Sequence, residues 1–320
     1  MFLKLINLNE HFVLAKIRKL LMILFIFVLL LSSCATQFPK IDIPNTEPSA
    51  KKMDHLHPRV VLVLGSGSAR GFAHAGVLKV LQENHIPIDL IVGTSAGSIV
   101  GSLYADNPSA NSLQNILLTA KRNEVIDFSL LNIPSGAVSG AGLQYFLIKN
   151  LHAASFDQLK IPFVAVAADL QSGKIHVFKS GPIAPAVNAS SAAPPFFRPV
   201  KIYGRTYVDG GLIDPVAVDV AKQFHPKIII AVMLDYPLSN SLPSSSPRIF
   251  LRGFDMMLLK LNESSAHGAD IIIRPDMGYV DMFEENGRAK LMHAGEVAAR
   301  KALPSIRKLL EEKKVSIGWH

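Results

Sequence analysis

The sequence predicts an α/β protein: a three-layer sandwich with a mostly parallel central sheet. Three observations lead there. Short runs rich in Val, Ile and Leu alternate with stretches of helical periodicity. Those runs are apolar at every position rather than at every second one, as in strands covered on both faces. The first two runs each end in a turn rich in Gly and Ser that opens a helix, and such sheets keep their chemistry at the carboxyl ends of strands.

Arg59-Val-Val-Leu-Val-Leu64 reads as the first buried strand. A helix follows over residues 70–84, with Phe72, Ala75, Val77, Leu78 and Leu81 apolar. Ile88 to Val92 reads as the second strand, and Ala96 to Tyr104 as the helix after it. Further strands are expected at Phe163–Ala168, Lys174–Phe178, Tyr207-Val208, Ile228–Met233 and Ile271–Ile273. A final amphipathic helix covers residues 287–313, and residues 237–248 form a polar loop. Glycines at 136, 140 and 142 motivate a lid within residues 105–160.

The first 57 residues have a different character. Leu20 to Leu31 is a run of twelve apolar residues preceded by Lys16, Arg18 and Lys19. That is the pattern of a secretory signal, and it falls short of the about 20 residues that span a bilayer. Leu31-Ser32-Ser33-Cys34 resembles the lipobox of bacterial lipoproteins. Cys34 is the sole cysteine of the chain and has no disulfide partner. Lipidation of Cys34 is the expectation, with an uncleaved N-terminal anchor as its alternative. Ala35, rather than Asp, after the cysteine points by resemblance to enterobacterial sorting to the outer membrane, facing the periplasm. Residues 35–57 hold three prolines and no apolar periodicity, and read as a flexible tether. The expected division is therefore a signal over 1–34, a tether over 35–57 and one domain over 58–320.

Mean hydropathy is +0.29 and the formal charge +8. Removing residues 1–33 takes away four Lys/Arg and one Glu and leaves +5, a balance suited to anionic lipid surfaces. No dense basic run occurs, so nucleic acid is not an expected partner. Nothing around the histidines has metal-ligand spacing, and no metal or cofactor is expected.

Gly93-Thr94-Ser95-Ala96-Gly97 is a G-x-S-x-G pentapeptide between a predicted strand and a predicted helix. On that junction a serine hydroxyl projects from a sharp turn, and small residues at 93 and 97 let strand and helix approach. Elsewhere the same pentapeptide is a plain Gly/Ser turn. Gly65-Ser66-Gly67-Ser68-Ala69-Arg70-Gly71 follows the first strand. As a dinucleotide fingerprint it fails twice, with Arg70 in place of the third glycine and no acidic residue ending the second strand. As an oxyanion hole it supplies consecutive N–H groups at a helix start, with Arg70 holding neighbouring carbonyls. Asp209-Gly210-Gly211 alone reads as a hairpin turn. Beside the other two elements it reads as a base, with Gly210 and Gly211 letting the backbone pass close to Ser95.

In this order the three elements resemble those of bacterial patatin-like phospholipases. Leu64 to Leu78 is similar to that family's opening, Gly93–Gly97 to its nucleophile elbow, and Asp209-Gly210-Gly211 to its D-G-G motif. Ala189-Ser-Ser-Ala-Ala-Pro-Pro-Phe-Phe197 is similar to the segment before it, and the likeness covers residues 59–220. The resemblance implies a patatin-like fold and a Ser–Asp dyad, with Ser95 attacking an ester carbonyl and Asp209 taking its proton. It also implies oxyanion donors at the backbone of Gly67 and Ser68, an acyl-enzyme, and a phospholipid, lysophospholipid or other acyl ester as substrate. Serines at 66 and 68 interrupt the family's glycine run, which bears on loop geometry and not on the number of donors.

Two other readings stand beside this one. His267 and His293 follow Asp209 and fit the Ser…Asp…His order of an α/β-hydrolase esterase or thioesterase. A catalytically inactive envelope lipoprotein with a binding role is the other. His74, among apolar residues on the first helix, reads as structural.

Overall fold

The computed structural model describes residues 18–19, 22, 43–50, 53, 55–128, 136–235, 237–238, 242–278 and 287–318. The chain divides between Lys40 and Ile41. Of the first unit only Arg18, Lys19 and Met22 are described, all helical, so the apolar run and the lipidation expected at Cys34 lie outside the described residues. Among those described, no helix is long and apolar enough to cross a membrane.

The second unit is built on an eight-stranded sheet: β1 (Val60–Leu64), β2 (Leu90–Thr94), β3 (Phe163–Asp169), β4 (Lys174–Phe178), β5 (Val200–Ile202), β6 (Arg205–Asp209), β7 (Ile228–Val232) and β8 (Ile271–Ile273). β3, β2, β1, β7 and β8 run parallel in that spatial order, while β4 and β6 pair antiparallel with β3, and β5 with β6. The unbroken apolar runs have the predicted consequence. Val60, Leu62 and Leu64 enter one core, and Val61 and Val63 enter the other. In β7, Ile228 and Ile230 face the first core, and Ile229 and Ala231 the second. Alternate side chains of one strand thus fill opposite faces, and helices cover both.

The larger core lies under α1 (Phe72–Glu83), α2 (Ala96–Asp106), α3 (Ala110–Thr119), a short α4 (Arg122–Val125), α5 (Ala141–Asn150) and α6 (Ile183–Ser190). The smaller core is covered by α7 (Val218–Lys222) and by Met53. Two further helices, α8 (Ser246–Ser265) and α9 (Arg288–Glu312), complete the unit. Where β1 and β2 begin, Asp89 joins them. Its Oδ2 accepts from the backbone N–H of Arg59 (2.8 Å) and Val60 (3.0 Å), and its Oδ1 from Arg59 Nη2 (2.7 Å). This ties the two central strands in register.

Register also explains how the ends of two distant strands meet. β2 pairs with Phe163–Val166 of β3, β6 with Ala167–Asp169, and β4 with Ala165–Asp169. β4 overlaps both of the others along β3, and one strand edge holds a single partner at a time. β2 and β6 must therefore share the opposite edge in tandem, running towards each other. Thr94 stands opposite Val166 and Asp209 opposite Ala167, so the carboxyl end of β2 meets the carboxyl end of β6.

The stretch expected to be a free tether is in part docked. Ile43 packs against the larger core, Met53 is buried in the smaller one with Ala50 and Leu56 beside it, and Pro48 O accepts from Ser180 Oγ (2.6 Å). These apolar residues lack periodicity, which is why they read as linker, yet each finds a slot on the folded domain.

α9 lies along α1 with backbone touching backbone. A Cβ at Gly76 would sit 1.8 Å from Met292 O, and one at Gly295 2.0 Å from Ala73 O. Lys79 and Glu296 pair across the same contact at 2.8 Å. Gly295→Ala is therefore expected to force the helices apart and cost about 1–3 kcal/mol. Urea denaturation checks this, and an unchanged midpoint would contradict the close contact.

Candidate active site

Ser95 follows β2 directly and caps α2 at its N-terminus, with φ 54° and ψ −121°. Few non-glycine residues adopt positive φ, and the strain is of order 1–3 kcal/mol. The turn is held on several sides. Ser95 N–H donates to Ser190 Oγ (3.0 Å), which itself donates to Val166 O (2.6 Å). Ser95 O accepts from Ser98 Oγ (2.7 Å) and Ser191 Oγ (3.2 Å). The flanking glycines are required by contact: a Cβ at Gly97 would lie 1.9 Å from Leu64 O, and one at Gly93 2.7 Å from the Ser98 Cα. The hydroxyl that this turn projects donates to Asp209 Oδ2 at 2.5 Å.

Asp209 ends β6 where that strand meets β2. Its Oδ1 accepts the Gly211 N–H at 2.7 Å. Gly210 is confined there as well, since a Cβ would fall 2.3 Å from Val166 O. Asp209 and Ser95 are 5% and 8% exposed. Burial pushes the carboxyl of Asp209 up to about 6, against the lowering effect of the bonds from Ser95 and Gly211. A carboxylate in that range is a far better proton acceptor near neutrality than an ordinary aspartate.

The glycine- and serine-rich loop lies beside the pair. Gly65 N–H is taken by Val232 O (3.1 Å) and Ser66 N–H by Pro215 O (2.8 Å). Gly67 O accepts from both the backbone N–H and the Nε of Arg70, at 3.0 Å each. Arg70 is buried and braces the loop from within, as its place in the sequence suggested. Gly71 abuts the elbow: a Cβ there would be 2.7 Å from the Ala96 Cβ. Among the described residues nothing accepts from the N–H groups of Gly67 and Ser68. Ser68 holds φ 50° in the left-handed region, so the serine that breaks the glycine run is accommodated at the cost of strain. His74 is fully buried, with its Nε2 2.8 Å from Gly65 O, and burial lowers it to about 4. It is a neutral structural histidine behind the loop.

A cavity of about 230 Å³ opens in front of the pair. Ser68, Ser95 and Asp209 line it together with Phe72, Ile99, Leu117, Leu143, Phe146, Phe196 and Phe197. The region in which a lid was expected supplies one wall through α3, α4 and α5. Arg288 closes the far side, donating to the carbonyls of Leu117 (3.0 Å) and Ala120 (2.6 Å) while lying over the Phe72 ring. His267 and His293 are exposed, and neither lines the cavity nor bonds Ser95 or Asp209. Among the described residues no group of three or more His, Cys, Asp or Glu could hold a metal ion.

The polar bracket around the elbow went unassigned in the sequence. Ser190 and Ser191 belong to the Ala189–Phe197 segment, whose resemblance to the family carried no role for them. Their signal was position alone, two hydroxyls ahead of a paired proline.

The site is thus a serine on a strand–turn–helix elbow bonded to a buried carboxylate, above an apolar cavity. A sequence model of patatin-like phospholipases matches residues 62–222. An uncharacterized NTE family protein of Mycobacterium tuberculosis is 33% identical over 208 residues, covering 63% of this chain and 56% of that protein. Human patatin-like phospholipase domain-containing protein 6 is 30% identical over 232 residues, covering 69% of this chain and 16% of that protein. The crystal structure of VipD from Legionella pneumophila shares the fold, with a TM-score of 0.52 at 12% identity, over 86% of this chain and 72% of that one. The chain belongs to the patatin-like phospholipase family. It spans little more than half the length of the mycobacterial relative.

The raised pKa has a stability consequence. Below about pH 3 the carboxyl is protonated in folded and unfolded chains alike and costs nothing. As pH rises from 3.8 through about 6 the unfolded chain ionises first, so the folded state loses stability. Asp209→Asn keeps an acceptor for Gly211 and removes the charge. It is expected to match the wild type near pH 3 and to be about 1–3 kcal/mol more stable near pH 7. Urea melts at the two pH values read this directly, and an equal difference at both would contradict a raised carboxyl.

Proposed function

We propose that the chain hydrolyses acyl esters of lipids, phospholipids or lysophospholipids among them, through a Ser95–Asp209 dyad. The observation that carries this reading is the 2.5 Å bond from Ser95 Oγ to a buried carboxylate at the end of an apolar cavity. Family membership supports the substrate class, and the apolar lining suits an acyl chain.

Ser95 Oγ attacks the ester carbonyl as its proton passes to Asp209 Oδ2. The tetrahedral oxyanion is met by the N–H groups of Gly67 and Ser68, with the N-terminus of α2 adding partial positive charge. On collapse, Asp209 returns the proton to the leaving alcohol oxygen, and Ser95 keeps the acyl group. Water then attacks the acyl-enzyme, giving its proton to Asp209, and Ser95 recovers a proton as the fatty acid leaves. Asp209 can act both ways because its pKa lies near the working pH. A histidine triad has no support in this geometry, since among the described residues no histidine lines the cavity or bonds Ser95 or Asp209.

The protein is further proposed to work from the bacterial envelope, held by lipid on Cys34. The basic, apolar and small-residue order of residues 16–34 supports this reading.

Ser95→Ala and Asp209→Asn are each expected to lower kcat by on the order of 10⁴-fold or more, with His267→Ala within about twofold of wild type. Hydrolysis of p-nitrophenyl acyl esters and of micellar phospholipid measures this, and loss with His267→Ala would favour a triad. In the wild type kcat/KM should climb through about pH 6 as Asp209 ionises, and a flat profile from pH 5 to 8 would remove Asp209 as base. For the anchor, metabolic labelling with an alkynyl palmitate should mark the full chain and fail with Cys34→Ala. Equal labelling of both would exclude that site.

A further inference from the structure

α8 departs from every other long helix of the domain. Of its described side chains only Asn262 is buried. Ile249, Phe250, Met256 and Met257 are 55%, 69%, 56% and 70% exposed. Their spacing, i, i+1, i+7 and i+8, places all four on one side of the helix, with Gly253 between them and open space above it. Leu242, four residues before the helix, is 91% exposed. A single exposed Leu is ordinary, but a helical stripe of large apolar side chains facing solvent marks an interaction surface.

Charge distinguishes the occupants. Lys260 is exposed on the same side at the C-terminal end of the stripe, while Arg248 is exposed one residue before it, on the other side of the helix. The acid nearest Lys260, Glu263, is taken by Arg274 at 2.6 and 3.0 Å. A second copy packed parallel along the stripe would set Lys260 against Lys260. An anionic lipid surface complements both the apolar stripe and the Lys260 upon it. α8 follows β7, whose exit carries Leu234 against Gly67 of the candidate oxyanion loop, so the chain leaves for the helix from the carboxyl ends of the strands, where Ser95 also lies.

We propose that α8 is a membrane-surface helix that beds Ile249, Phe250, Met256 and Met257 into the interface of an anionic bilayer. The seat is separate from the cavity and does not depend on ester hydrolysis.

The test uses the full chain with Ser95→Ala, so that membrane seating and turnover are read apart. A position-specific readout is needed, so that attachment through residues 20–31 does not count. The one native tryptophan is removed by Trp319→Phe, and a reporter is placed by Phe250→Trp on the stripe or by Val297→Trp on α9, which is exposed at 53%. Vesicles of phosphatidylcholine and phosphatidylglycerol carry brominated acyl chains. The reporter at 250 should shift to the blue and lose about half its emission or more, as a side chain seated 5–10 Å into the interface would. The reporter at 297 should not respond, and Lys260→Glu should weaken the quenching at 250. Three results would overturn the proposal: no quenching at 250, equal quenching at both positions, or a blue-shifted reporter at 250 without vesicles in a chain that sediments as a dimer.

Discussion

The site depends on one meeting of chain ends. β2 and β6 occupy the same edge of β3 from opposite directions, and each stops where the other begins. The last residue of β6 is Asp209, and the residue after β2 is Ser95. Each supplies a polar side chain to a buried junction, and there the two side chains bond each other. The 2.5 Å bond between them follows from strand pairing, as do the glycines at 97 and 210, where a methyl would strike the backbone of β1 or β3.

That arrangement is costly to the fold and useful to chemistry for the same reasons. Burial raises Asp209 to about 6, which destabilises the folded state near neutrality and makes the carboxylate a competent base. Ser95 is held at positive φ by its bond to Ser190 and by bonds from Ser98 and Ser191, which keeps its hydroxyl aimed while storing backbone strain. Ser68 carries a smaller version of this burden in the adjacent loop. Backbone strain and a carboxyl buried at this depth persist only where a rigid frame imposes them. Here the frame is a sheet buried on both faces.

Much of this was legible in the residues. Unbroken apolar runs gave β1, β3 and β7 closely, because a doubly buried strand leaves little latitude in composition, and the shorter β4 and β8 also fall where expected. The second strand was placed two residues early at both ends. Asp89 carries the polar bracket of Arg59 there, and pairing with β3 carries the strand on to Thr94. β5, three residues long, and the helices between Ala110 and Lys222 carry short or weak periodicity and take their form from tertiary packing. The Ser95 elbow and the bracing Arg70 announced themselves through spacing. Asp209 was less distinct, since an Asp-Gly-Gly sequence alone is also a turn and it read as a base only beside the other two elements; the tandem pairing along β3 is what brings it to Ser95. The docked part of the expected tether and the cavity wall from α3 to α5 were hidden for a related reason. Their residues matter through long-range contacts that no local pattern records.

In the proposed mechanism Asp209 alone activates Ser95. An alkyl fluorophosphonate that reacts with activated serines, followed by peptide mapping, reads this at the residue itself. A single adduct on Ser95 is expected, formed faster as pH rises through about 6 and slowed by several orders of magnitude in Asp209→Asn. An adduct on another serine, or labelling of Ser95 at an unchanged rate in Asp209→Asn, would contradict it.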